Sequence, residues 1–160
     1  MVRQVSTMTA KPSTNPQELR PILGGFLRRR RWLTNATFLI NRKVRVGRRR
    51  WTVGLSVVVF GDPDSPPPHK VQFIAGITFF PPEELSQSEE SYLDSVGFYD
   101  RVLAAANALG YHGGWSIGGF GKLGTFSKDL RSRRELWAEV VRLETMDVRS
   151  LVGAEFCGFP

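Results

Sequence analysis

The chain has 160 residues, of which 41% are apolar and 11% aromatic, a composition that excludes wholesale disorder and suits one core rather than two substantial ones. The formal net charge of +7 conceals an asymmetry: residues 1–60 hold 13 Lys and Arg against one acid, Glu18, a net +12, whereas residues 61–160 hold 9 against 14, a net −5. Cys157 stands alone, which excludes an internal disulfide and a Cys-rich metal centre. No 18-residue apolar run or secretory signal pattern is present either.

The opening MVRQVSTMTAKPSTNPQELRP has three prolines, many hydroxyl residues and little to bury, so residues 1–33 are expected to form a flexible basic arm ahead of a single domain over 34–160. Its Arg, Ser and Thr content with few acids is also the composition of an organellar transit peptide. Within it Arg28, Arg29, Arg30 and Arg31 run consecutively before Trp32, a pattern shared by solvated segments and nucleic-acid-binding arms.

The stretch TFLINRKVRVGRRRWTVGLSVVVF reads as two β-rich runs meeting at Gly47-Arg48, with Gly at the first central position of a two-residue turn. That register sets Val46 opposite Arg49, Val44 opposite Trp51, Arg42 opposite Val53, Ile40 opposite Leu55 and Phe38 opposite Val57, a mostly apolar face. The other face carries Arg45 opposite Arg50 and Lys43 opposite Thr52, and is basic and polar. Arg42 and Arg49 are the misfits on the apolar side, and Arg42 requires a carboxylate or a route to solvent.

After the proline-rich GDPDSPPP, residues 70–80 (KVQFIAGITFF) read as a third strand antiparallel to 51–60. Pro81-Pro82 ends it, and Ser86-x-x-Glu89 has the spacing of a capping box opening a helix. Tyr92, Val96, Tyr99, Leu103 and Ala106 fall on one helical face, and Gly110 is its natural stop. YHGGWSIGGF suits a strand or an irregular crossing equally. A second helix is expected from a cap at Ser127 or Asp129, with Leu130, Trp137, Val140 and Val141 facing the core and Arg131 pairing with Glu135. LVGAEFCGFP reads as a last strand. The expected fold is therefore α+β: an antiparallel sheet built on the hairpin and third strand, packed by two C-terminal helices.

Gly119, Gly121 and Gly124 match G-x-G-x-x-G, but only 36 residues follow Gly124, too few for the parallel sheet of a dinucleotide-binding fold. Lys122 is followed by Leu123, which breaks the Walker pattern as well. What remains is a candidate anion site formed by Gly119, Gly121, Lys122 and Gly124 with the amino end of a following helix. His112, Tyr111 and Lys122 are the candidate catalytic groups. Nothing points to a cofactor, and neither His69 nor His112 has metal-ligand spacing. The functional expectation is a nucleic-acid-binding module, with RNA preferred to DNA, that reads backbone shape and charge through Arg28–Arg31 and through Lys43, Arg45, Arg48 and Arg50. The alternatives are a small enzyme or ligand-binding domain using residues 111–124, and an assembly protein docking on an acidic partner surface. No membrane contact is expected, a homo-oligomer is left open, and the lone cysteine favours a reducing, cytoplasmic setting.

Overall fold

The computed structural model describes residues 20, 23–24, 36–61, 71–83, 85–118 and 121–157. In chain order they form β1 (Ala36–Val46), β2 (Arg49–Gly61), β3 (Val71–Phe80), α1 (Gln87–Ser95), α2 (Phe98–Ala108), β4 (His112–Gly118), β5 (Gly121–Leu130), α3 (Arg133–Thr145), α4 (Arg149–Val152) and α5 (Ala154–Cys157). The fold is α+β, with a five-stranded antiparallel sheet in the order β1-β2-β3-β5-β4.

The hairpin forms as its sequence dictates. Gly47 takes φ 62°, the left-handed value that the first position of a two-residue turn needs and that glycine adopts without steric cost. Phe38, Ile40, Val44 and Val46 of β1 are buried, as are Trp51, Val53, Leu55, Val57 and Val59 of β2. The Nζ of Lys43 donates to the Thr52 hydroxyl across the ladder, which fixes these two residues opposite each other on the outer face. β3 alternates in the same way, with Phe73, Ala75, Ile77 and Phe79 inward.

The chain divides into two compact units, and β1, β2, β3 and β5 contribute residues to both. The first unit comprises residues up to Asn41, Leu55–Gly76 and Lys128–Met146. Its buried groups include Leu23, Phe38, Ile40, Leu55 and Val57, with Leu136, Val140 and Leu143 of α3. Two carboxylates are also buried there. Glu144 accepts from the backbone N–H of Arg20 at 2.7 Å and from its Nε at 2.6 Å, and Glu139 accepts from Lys128 Nζ at 3.1 Å. Arg20, Leu23 and Gly24 are therefore buried or docked, and the expectation of a free arm does not extend to them; the rest of residues 1–33, Arg28–Arg31 included, lies outside the described residues.

The second unit comprises Arg42–Gly54, Ile77–Ser127 and Asp147–Pro160. Its centre is aromatic: Trp115 lies 4.8 Å from the ring centre of Tyr99, 5.9 Å from Phe79 and 6.2 Å from Phe98, while Trp51 stands 5.3 Å from Phe98. Ser86 caps α1 by accepting from Glu89 N–H at 3.2 Å, the capping box read from the sequence.

Three expectations are corrected. The single helix after Ser86 is two, because Gly97 at φ 79° interrupts it. Tyr99 and Ala106 are buried as expected, with Leu93, Phe98 and Val102 beside them, but the interruption leaves Tyr92 and Val96 exposed. The second helix does not begin at Ser127 or Asp129: β5 runs on to Leu130, and Ser132 caps α3 through Glu135 N–H. Its buried face is Leu136, Val140 and Leu143 rather than Trp137 and Val141, and Glu135 accepts from the backbone N–H of Arg131. The C-terminal strand is instead the short helices α4 and α5. The expected stop at Gly110 is present: Gly110 N–H bonds Asn107 O, Tyr111 N–H bonds Ala106 O, and Gly110 sits at φ 89°.

Candidate nucleic-acid interface

Strand alternation and burial together decide which cations face solvent. Lys43, Arg45, Arg48 and Arg50 are all exposed, on the outer face of the hairpin or at its turn. Arg45 Nε donates to Gly47 O at 2.7 Å and so curls over the turn. None of the four has a carboxylate partner among the described residues.

Four further cations of the same unit contrast with these. Arg49 binds Glu89 through Nε and Nη2, both at 2.9 Å, Lys122 lies 3.7 Å from Asp94, Arg101 3.9 Å from Glu155 and Arg149 2.9 Å from Asp147. Acids thus neutralise the helix-side and edge cations. The strands supply none to the outer hairpin, because Asp129 of β5 is the one acid in the five strands.

The Arg49–Glu89 pair is the solution the fold finds for one misfit on the apolar face. Its charge-assisted bonds hold the Glu89 carboxyl below its ordinary value of 4.5. A depressed folded-state pKa gives stability that is present above the unfolded value and lost as pH falls through the folded one. Glu89→Gln is therefore expected to lower the melting temperature at pH 7 and to flatten its fall between pH 5 and pH 3. Equal slopes for parent and variant in thermal scans would remove the pair from the acid response.

A cleft of about 600 Å³ opens beside this pair, lined by Gly47, Arg48, Arg49, Trp51, Glu89 and Tyr92 among others. Its carboxylate is held ionised by Arg49, which makes it a poor proton acceptor near neutral pH.

The glycine-rich residues sit in the β4–β5 hairpin, with Gly118 opposite Gly121 and Trp115 opposite Gly124; Gly119 lies outside the described residues. The anion-site reading loses the helix it required, since β5 follows directly. The Lys122 amide already donates to Glu90 Oε1 at 3.0 Å, so the protein's own carboxylate takes the anion's place.

The candidate catalytic groups do not converge. Tyr111 is fully buried and His112 exposed. His112 pairs with Ser127 and Lys122 with Ile117, five positions apart along the ladder and on opposite faces, a separation of roughly 16 Å at the rise of a strand. Lys122 lies instead over the Tyr99 ring, 4.3 Å from its centre, and burial pushes the Tyr99 hydroxyl well above its ordinary range. Among the described residues no group of three His, Cys, Asp or Glu is placed to hold a metal, and no helix is long and apolar enough to cross a membrane.

Sequence reasoning missed the segregation of acids from strands, although the strand compositions carried it. The chain matches no protein-family model, and comparison with curated proteins and with solved structures gives no match.

Proposed function

We propose that this protein binds nucleic acid, RNA in preference to DNA, through the outer face of the β1–β2 hairpin, with Lys43, Arg45, Arg48 and Arg50 contacting phosphates. The supporting observation is the charge sorting. Four exposed cations lie together without carboxylate partners among the described residues, while Arg49, Arg101, Lys122 and Arg149 are each within ion-pair distance of an acid. Unneutralised cations on one strand pair create a local positive field that a polyanion satisfies by releasing its counterions. Arg28–Arg31 would extend the same field from outside the described residues.

Changing Lys43, Arg45 and Arg50 together to Gln tests the reading. All three are exposed, so folding is expected to survive and the melting temperature to stay within a few degrees. Binding of RNA is expected to weaken at every sequence, and the slope of log K against log salt to flatten by about 2 for three lost single-strand contacts. Unchanged affinity and slope would overturn it. Retention of an acidic protein from solution without any nucleic acid would favour the assembly reading.

A further inference from the structure

The hairpin cations belong to a broader surface. Within the second unit the sheet has one face buried under apolar groups, marked by Val44, Trp51, Ile77, Phe79, Gly124 and Phe126. By alternation, the opposite face carries Lys43, Arg45, Arg50, Thr52, Phe80 and Thr125, followed on β5 and β4 by Ser127 and His112. These residues are exposed or half-buried, and none is acidic.

Phe80 is the unusual member. It is 43% exposed, at the end of a strand whose odd positions Phe73, Ala75, Ile77 and Phe79 are buried on the other face. β2 runs into β3 as an antiparallel neighbour, so the end of β3 lies beside the start of β2, where Arg50 and Thr52 stand. On the other side, a Cβ on Gly121 would come within 3.8 Å of Pro81 Cγ and 3.5 Å of Glu90 Oε1, which brings the start of β5, with the Glu90 carboxylate, against the end of β3. The ring therefore stands one strand from β2 and two from β1, roughly 5 and 10 Å at ordinary strand spacing.

From this juxtaposition we infer that the ligand is a single strand laid across the open sheet face, its phosphates on Lys43, Arg45 and Arg50 and a base stacked on the Phe80 ring. The inference rests on the nucleic-acid reading and narrows it. A duplex hides its base faces inside the stack and would bring only phosphate and sugar to an exposed apolar ring. A single strand offers π-faces that such a ring can cover at little cost in sequence selectivity. No strand residue named on this face is acidic, which limits repulsion along the strand's path; the Glu90 carboxylate is held at the start of β5 by the Lys122 amide.

Phe80→Ala separates the two levels of the proposal. Binding of a fluorescein-labelled 12-nucleotide oligouridylate, and of an RNA duplex of equal length, is measured by anisotropy across a salt series for the parent, Phe80→Ala, Phe80→Trp and the Lys43/Arg45/Arg50→Gln protein. Loss of one stacked base is expected to weaken single-strand binding roughly 5- to 150-fold. The salt slope should stay unchanged, because no phosphate contact is lost, and Phe80→Trp should restore affinity. Phe80→Leu, which keeps apolar bulk without a π-face, is read in place of Phe80→Ala if the alanine protein melts early, and should show the same loss. Equal affinities of parent and Phe80 variants, or equal losses on duplex and single strand, would overturn the stacking inference. If the triple variant still loses affinity and slope, the hairpin reading survives that failure. A parent protein that binds neither oligonucleotide would sink both and leave the face to a protein partner.

Discussion

Trp115→Ala is expected to destabilise the protein by about 3–5 kcal/mol, the cost typical of truncating a well-packed aromatic to a methyl group. The indole sits among Trp51, Phe79, Phe98, Tyr99 and Phe126 with ring centres 4.8–6.2 Å away, mostly edge-on or tilted, the arrangements favoured by ring quadrupoles. Its Nε1 donates to Tyr99 O at 3.0 Å, so the ring also ties β4 to α2. Gly124 stands directly opposite, and a Cβ there would lie 3.0 Å from the indole Cζ3. An alanine there would push the indole aside by a few tenths of an ångström, and Gly124→Ala is expected to be mildly destabilising although its backbone is in the ordinary strand region. Urea unfolding followed by circular dichroism reads both effects. A change below about 1 kcal/mol for Trp115→Ala, the range of an ordinary surface substitution, would show that the cluster repacks without it.

That cluster also shows where sequence reading stops. YHGGWSIGGF has no periodicity to expose a strand, and a glycine in it answers a close approach rather than a pattern. Gly113, at φ 152°, has no room for a Cβ against Thr125 O, and Gly124 faces an indole. Both demands come from the facing strand of the β4–β5 hairpin, which the pattern along one strand cannot reveal. The hairpin is the opposite case. Its two-residue turn and strict alternation make register a local property, and Lys43 meets Thr52 as the pattern required.

Between these extremes lie signals present but outcompeted. Ser132-x-x-Glu135 has the same spacing as Ser86-x-x-Glu89, and it is Ser132 that caps α3. Thr125, Ser127 and Asp129 alternate with the inward positions Gly124, Phe126 and Leu130 as a half-buried strand should. A cap-forming residue at 127 outweighed that alternation and drew the helix boundary several residues early. Gly97 is different again: a glycine inside an otherwise helical pattern is tolerated often enough that only its φ of 79° reveals a break. For the candidate site, the cations were legible as a pattern, whereas Phe80 was not, because a terminal strand residue acquires meaning only when the neighbouring strands are known.

Val44→Gln combined with Val46→Gln is expected to unfold the second unit, and with the basic triple it forms a matched pair on the same hairpin. The valines are 2% and 4% exposed and face the aromatic core. Each replacement loses the transfer energy of a buried valine, about 1.5 kcal/mol or more, and buries an amide without a partner at about 1–3 kcal/mol further. Two such changes approach or exceed the roughly 5–15 kcal/mol that holds a typical domain folded. Lys43, Arg45 and Arg50, one residue out of phase, should tolerate Gln because all three are exposed and the changes remove only the Lys43–Thr52 and Arg45–Gly47 hydrogen bonds at the surface. Near-ultraviolet circular dichroism and amide dispersion in NMR spectra distinguish the outcomes without reference to any ligand. A folded valine variant beside an unfolded basic variant would mean that the strand presents its other face to the core. Period two admits no intermediate answer, so the basic surface and the single-strand site on it would fall together with the register.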